Sequence, residues 1–265
     1  MSIILQTSLS LKRLKQVRDL TSQCLMAFPA PLSCPEDGDI YFLAEEPAPV
    51  PKKGPILTAF LALYVLEENL FECSAFTHPD WRQKGLFSAL LEAAETAYPD
   101  HQFSFPVPEG DACLPALSAL NSLGAEFWRR EHLMTLDAGN IPSCPFLKAV
   151  PISLHITETD GLKTAQAFYG GNLAASCFLD ISQSPKGKTC CLHQVLVPES
   201  LRGKGWGTRF LLSLLPALKE QGVCRFLLQV SGENLPAIAL YKKAGFQITE
   251  TLSYYLYDAG SKGHV

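Results

Sequence analysis

The residues with the clearest chemical potential lie at the start of a predicted helix in the second half of the chain. Glycines at 203, 205 and 207 leave the first turn of this helix without side chains. The first backbone N–H groups of a helix have no internal partner and lie at the positive end of its dipole. A bare first turn can therefore bind a diphosphate, although glycines there also simply permit a tight strand-to-helix connection. The positive charges around this turn come from Arg202, Lys204 and Arg209.

The glycine turn belongs to a set of landmarks that occurs twice in the 265 residues. The segment WRQKGLF at 81–87 is repeated as LRGKGWG at 201–207, and LPAL at 114–117 is repeated as LPAI at 235–238. The first pair is offset by 120 residues and the second by 121. Landmarks that keep nearly one spacing indicate two copies of one unit, and a period this long indicates duplicated domains.

Hydrophobic periodicity predicts a similar order of elements in the two copies, except that the second copy lacks a long first helix. In the first copy we expect strands at 3–7, 39–45, 56–66, 70–77, 102–105 and 126–136, and helices at 9–28, 82–98 and 113–122. In the second copy we expect strands at 164–169, 173–181, 189–197, 224–230 and 246–257, and helices at 201–221 and 236–244. These elements predict a first domain at 1–138, a proline-rich linker at 139–150 and a second domain at 151–265.

The second copy, from about residue 164 onward, resembles the GNAT N-acetyltransferase superfamily. The glycine turn of that family, Q/R-x-x-G-x-G/A, is matched by Arg202, Gly205 and Gly207. The later family pattern is matched by Asn234, Ala237-Ile238, Leu240-Tyr241 and Gly245-Phe246. The resemblance implies an α/β (α+β) fold of two tandem GNAT-like domains. Each domain would contain a mixed, mostly antiparallel sheet flanked by helices, with splayed parallel strands at the cofactor cleft.

The same resemblance implies that the second domain binds acetyl-CoA as a co-substrate. Asn234 would hydrogen-bond the pantetheine arm, and the Tyr241 hydroxyl would protonate the departing thiolate, a role for which a phenol at hydrogen-bond distance is suited. The arm would pair with the strand formed by Val195, Leu196 and Val197. The diphosphate would lie on the turn formed by Arg202, Gly203, Lys204, Gly205, Trp206, Gly207 and Thr208.

The sequence does not determine which group accepts the proton of the amine. Relatives often use a glutamate on the strand before the glycine turn, but 189–197 contains no carboxylate. His193 lies on this strand, and its titration range suits a base near neutral pH. Glu199 lies in the turn itself and is a poorer candidate. Water without a protein base is the third possibility.

The first copy departs from the pattern at the positions that matter for chemistry. Phe87 replaces the last small residue of the turn, Cys113 aligns with Asn234, and Leu120 aligns with Tyr241. We therefore expect the first copy to be non-catalytic. Two roles are left open for it: binding CoA at 82–87, or only packing against the second copy and shaping the acceptor pocket.

The leading functional hypothesis is an acyltransferase that moves an acetyl group to a primary amine of a small molecule or peptide by direct attack. A CoA-binding regulatory or sensor protein without acetyl transfer is the alternative. Retention of Asn234 and Tyr241 favours the enzyme, because a sensor has less need of a proton donor. The identity of the acceptor, the length of the acyl chain and the oligomeric state are not determined by the sequence.

Composition excludes several other classes. The formal charge of −4 argues against nucleic-acid binding, and the longest apolar runs are too short to span a membrane. The histidines and nine cysteines show no spacing typical of a metal site, so we expect no metal. The N-terminal residues do not resemble a secretory signal, and an odd number of cysteines fits reduced thiols, which together predict a cytoplasmic protein.

Overall fold

A computed structural model describes residues 1–47, 54–143, 152–185 and 187–258 of the chain. These residues form two compact units, the first built from Met1–Arg129 together with the last strand segment, and the second from Arg130–Thr251. Most of the predicted linker, 144–150, lies outside the described residues, as does the predicted first residue of the second domain, 151.

The elements follow the order that the sequence predicts, with one additional strand, β7. The first copy consists of β1 (Ser2–Gln6), α1 (Leu11–Ala27), β2 (Ile40–Glu46), β3 (Ile56–Glu67), β4 (Leu70–Thr77), α2 (Leu86–Ala97), β5 (Gln102–Pro108), α3 (Leu114–Leu123) and β6 (Glu126–Asp137). The second consists of β7 (Ser153–Thr159), β8 (Leu162–Tyr169), β9 (Asn172–Ser184), β10 (Gly187–Leu196), α4 (Trp206–Glu220), β11 (Val223–Ser231), α5 (Leu235–Lys243) and β12 (Gln247–Asp258).

The last strand of each copy is built into the sheet of the other unit. In the second unit, β6 pairs antiparallel with β11 from Glu131↔Ser231 to Asp137↔Arg225. In the first unit, β12 pairs antiparallel with β5 from Leu252↔Pro108 to Asp258↔Gln102. The compact units therefore differ from the predicted domains, because the segments 130–138 and 252–258 have exchanged places.

Each unit contains a mixed, mostly antiparallel sheet, as the family resemblance predicts. The strands β1 to β4 and the strands β7 to β10 pair antiparallel in sequence order. One parallel pair then follows in each unit, β4 with β5 and β10 with β11. The parallel pairing ends at Glu72↔Ser104 and at Cys191↔Leu227, although all four strands continue beyond these points. The prediction of splayed parallel strands is thus confirmed.

Alternation of apolar residues explains how helices cover the sheets. Along β2, Phe42 faces the cluster that contains α2, whereas Leu43 faces the cluster that contains α1. Both faces of this strand are buried, since helices lie on both sides of it. In the second unit, α4 and α5 supply the helical side of the core through residues such as Phe210 and Ile238. No helix in the described part of the chain is both long and apolar enough to span a membrane.

Candidate functional site

The glycine turn of the second unit ends in a helix whose first amide groups lack a side-chain cap. Gly203 and Gly205 have φ angles of +71° and +81°, and Gly205 is the N-cap of α4. The amide of Arg209 donates the first intrahelical bond to the carbonyl of Gly205 at 3.1 Å. The amides of the three preceding residues, 206–208, therefore have no carbonyl partner within the helix. The structure thus contains the uncapped helix start at which the sequence analysis predicts diphosphate binding.

Two different physical reasons favour glycine at the three positions of the turn. Gly203 and Gly205 adopt left-handed backbone conformations, which disfavour side chains even though no atom lies within 4 Å of a Cβ built there. At Gly207 a Cβ would come within 2.9 Å of Leu240 Cδ2 and within 3.4 Å of Val197. Gly207 thus allows α4 to approach both α5 and the end of the strand that leads into the turn.

The cationic side chains of the turn bind its own backbone or pack on a ring. Arg202 Nε donates to the carbonyl oxygen of Val197 at 3.2 Å, and Lys204 Nζ donates to that of Ser200 at 2.9 Å. The Arg209 guanidinium lies 5.2 Å from the Trp206 ring. Arg202 therefore fixes the shape of the turn, while all three cations raise the local positive potential.

A β-bulge interrupts β10 just before the turn, and sequence analysis missed it. His193 pairs with Phe178 on β9, but the next partner pair is Leu196↔Ser176. The strand therefore has one extra residue here, and Gln194 has a φ of +48°. The sequence contains a sign of this bulge. The residues that face the core have even numbers at 190 and 192 but odd numbers at 195 and 197, as one extra residue requires.

Asn234 caps the helix that carries the predicted proton donor. Its Oδ1 accepts a hydrogen bond from the amide of Ala237 at 3.2 Å, which satisfies one amide of the first turn of α5. The side-chain oxygen is thus engaged by the helix, and the Nδ2 group is the part of the side chain that can donate a further hydrogen bond.

Tyr241 lies in a largely buried environment on α5. Its side chain is 7% exposed and packs against the ring of Phe246 at 6.1 Å. Burial raises the pKa of the Tyr241 hydroxyl, and the nearby Cys177 thiol raises it further. The phenol therefore stays protonated at neutral pH, as a proton donor requires.

The structure brings the glycine turn and the helix of Tyr241 together through the contact between Gly207 and Leu240. Both side chains that the sequence offers as the base are exposed. His193 is exposed on β10 before the bulge, and Glu199 is exposed in the 3₁₀ turn Glu199–Leu201. Among the described residues, His, Cys, Asp and Glu side chains do not gather in a group of three that could hold a metal ion.

The class of protein is defined by comparison with known families. Residues 130–246 match the profile of the Acetyltransferase (GNAT) family. The match begins at the strand β6 that the first copy supplies to the second unit, and it ends after α5. The second unit therefore belongs to the GNAT family, and the predicted family resemblance is confirmed.

The particular relatives extend this assignment to the fold of the whole chain. A GCN5-related N-acetyltransferase from Sphaerobacter thermophilus aligns over 97% of this chain and 96% of its own, with 14% identity and a TM-score of 0.68. A tandem GNAT protein from the clavulanic acid biosynthesis pathway aligns over 98% of both chains, with 16% identity and a TM-score of 0.68. These likenesses show that the chain has a tandem GNAT fold.

Similarity at the level of sequence is confined to a shorter segment. An uncharacterized N-acetyltransferase of Bacillus subtilis is 46% identical over 55 residues, which is 21% of this chain and 22% of that protein. The match thus spans about a fifth of the length of the curated relatives found.

Proposed function

We propose that the second unit transfers an acetyl group from acetyl-CoA to a primary amine by direct attack, and that the first unit is non-catalytic. The observation that carries this proposal is the uncapped glycine turn of α4, which adjoins both a splayed pair of parallel strands and the helix of a buried tyrosine. GNAT family membership of residues 130–246 supports the same activity.

The turn and the strand end would hold the donor. The amides of residues 206–208 would bind the diphosphate, with Lys204 adding positive charge beside them. The pantetheine arm would lie along Val195–Val197, where parallel pairing between β10 and β11 has already ended and backbone groups can bind a ligand. Asn234 would donate from Nδ2 to a carbonyl of that arm.

The reaction needs two proton transfers. The amine nitrogen attacks the thioester carbonyl, the C–S bond breaks, and the thiolate takes a proton from the Tyr241 hydroxyl. The amine must lose a proton before or during the attack. His193 is our first candidate to accept it, because its ring is exposed on the strand that leads to the bulge; Glu199 and bulk water are the other candidates.

Incubation of acetyl-CoA with a panel of primary amines tests this function by the release of free thiol. We expect thiol release with at least one amine, and mass spectrometry should show the acetylated product. Tight acetyl-CoA binding without release from any amine would instead indicate a CoA-responsive sensor. The buried, protonated Tyr241 favours the enzyme over that alternative, because a sensor does not require a proton donor.

A further inference from the structure

The described residues of the second unit contain no counterpart of helix α1, and no helix among them covers the corresponding face of its sheet. In the first unit, α1 packs on this face through Val17 and Leu20, and Phe76 at the end of β4 is 6% exposed. Leu196 occupies the corresponding place in the second unit, 120 residues later, and is 54% exposed. The loss of a helix has therefore opened the sheet surface next to the bulge.

A cavity of about 90 Å³ lies on this surface. Its volume equals that of roughly three water molecules in the liquid, so it accommodates a small group rather than a whole cofactor. Residues of three strands of the second unit line it: Thr164, Gln166, Ser176, Cys177, Phe178, Gln194 and Leu196.

The lining of the cavity is uncharged and combines apolar side chains, such as Phe178 and Leu196, with polar ones. Thr164 hydrogen-bonds the hydroxyl of Thr157 at 2.9 Å. The side chains of Gln166, Ser176 and Gln194, by contrast, form no hydrogen bond with the described residues of the chain. Two amides and a hydroxyl are therefore available to a ligand that can both donate and accept hydrogen bonds.

The cavity adjoins the proposed reacting centre. Gln194 and Leu196 belong to the bulged end of β10, beside the segment that we assign to the pantetheine arm. Cys177 lies opposite the bulge and also lines the cavity. It packs in the same buried cluster as Tyr241, so the cavity and the proton donor lie on either side of one strand.

We propose that this cavity binds the uncharged, hydroxyl-bearing part of the acceptor, which makes small amino alcohols the substrate class. This inference rests on the proposed function, since it names the acceptor of the same site. A charged substituent would be partly desolvated there without an ionic partner, and an alkyl substituent would displace water from the half-buried Gln166 and Ser176 side chains without replacing its hydrogen bonds. A hydroxylated substituent satisfies both requirements.

A matched pair of amines tests the proposal directly. Serinol (2-amino-1,3-propanediol) and 3-aminopentane have nearly the same shape, because two methyl groups of the second replace the two hydroxyl groups of the first, and aspartate serves as a charged amine. Each kcat/KM is referred to the unprotonated amine, because the hydroxyl groups lower the pKa of the serinol amine. We expect kcat/KM for serinol to exceed that for each of the others by about 10-fold or more, which corresponds to the loss of one to two hydrogen bonds. Thiol release supplies the rates.

Substitutions in the cavity sharpen the test. Gln166→Leu and Ser176→Ala should each lower kcat/KM for serinol by roughly 5- to 10-fold and leave the affinity for acetyl-CoA unchanged. Ser182→Ala is the matched control, because Ser182 is exposed on the same strand, β9, outside the cavity. It should leave both quantities unchanged.

The outcomes separate this inference from the proposed function. Equal or faster turnover of 3-aminopentane or aspartate, or no effect of either cavity variant, overturns the inference while acetyl transfer stands. If acetyl-CoA binds but no amine releases thiol, the proposed function fails. Saturation-transfer NMR then tests binding in the cavity by itself. A stronger signal for serinol than for 3-aminopentane, lost in Gln166→Leu, supports the inference. Equal signals for the two amines overturn it.

Discussion

The glycine turns of the two copies share one backbone geometry. In the first copy, Gln83 and Gly85 have φ angles of +59° and +76°, close to those of Gly203 and Gly205 in the second. Arg82 Nε donates to the carbonyl oxygen of Thr77 at 3.3 Å, just as Arg202 binds the strand end in the second copy. Both helices begin at a left-handed glycine without a side-chain cap.

The surroundings of the two turns differ, and each difference lies at a feature to which we assign a function in the second copy. The end of β4 pairs regularly with β3, whereas β10 is bulged. Cys113, at the N-cap of α3, makes no capping hydrogen bond, whereas Asn234 does. Leu120 is a buried core residue where the second copy has Tyr241. The turn is thus a feature of the architecture, and its neighbours decide whether it serves chemistry.

The largest effect is expected from placing negative charge in the second turn. Gly205→Glu should weaken acetyl-CoA binding by about 100-fold or more, because a carboxylate would face the diphosphate. Gly85→Glu creates the same backbone strain in the first unit and should leave the affinity unchanged. Calorimetry of both variants, with one binding site expected per chain, makes the comparison. Equal losses in the two variants would show that both turns bind, and no loss in Gly205→Glu would remove the site assignment.

A smaller effect, on rate rather than binding, is expected at Tyr241. Tyr241→Phe should lower kcat by about 100-fold with little change in the Kd of acetyl-CoA, because only the proton donor is lost. Since burial raises the pKa of Tyr241, ionisation of the phenol should not reduce kcat until the pH exceeds the ordinary tyrosine value of about 10. Tyr98→Phe, in the first unit, is the control. Parallel losses in kcat and affinity would make Tyr241 a structural residue.

Asn234 allows its capping and binding roles to be separated. Asn234→Ala should lower the free energy of unfolding by about 1 kcal/mol, because α5 loses its cap. Asn234→Ser keeps a capping oxygen but lacks the amide donor, so it should preserve stability and weaken acetyl-CoA binding by about 5- to 10-fold. Urea denaturation and calorimetry measure the two effects. Unchanged affinity in both variants would leave Asn234 with the capping role alone.

The smallest effect is expected where the two turns differ in backbone chemistry alone. Gly203→Gln should lower the free energy of unfolding by about 1 kcal/mol, since a side chain disfavours the left-handed conformation. Gln83→Gly relieves that strain but increases the freedom of the unfolded chain, so its net effect should stay below about 1 kcal/mol. Urea denaturation tests both. A larger loss in Gln83→Gly would reveal a contact made by the exposed Gln83 side chain.

Much of the candidate site could be predicted because its signals are local in the sequence. A left-handed turn followed by a helix favours glycine at fixed spacing, and the helix of Tyr241 begins at a capping asparagine with a proline two residues later. The order of strands and helices was equally accessible from apolar periodicity. The strand β7 was missed because only part of one face is buried, so that its apolar residues are few.

The exchange of final strands was decided by the tertiary structure. Both β6 and β12 are 12 residues long, and each contributes buried residues to the core of the unit that it joins, such as Met134 and Tyr257. Which partner each strand joins depends on pairing between segments that lie about 90 to 100 residues apart for β6 and about 150 residues apart for β12, and no local pattern records that choice. The predicted boundaries at 138 and 151 divide the chain into two continuous segments, and such a division cannot represent an exchange of strands.

The sequence alone determined that the chain carries two copies of one unit and that only the second keeps an asparagine and a tyrosine beside its glycine turn. These features are fixed by residue type and spacing along the chain. The tertiary structure alone decided that the tyrosine is buried and that a bulge opens beside a small polar cavity. Burial and cavities depend on which distant segments pack together, and packing is a property of the folded chain.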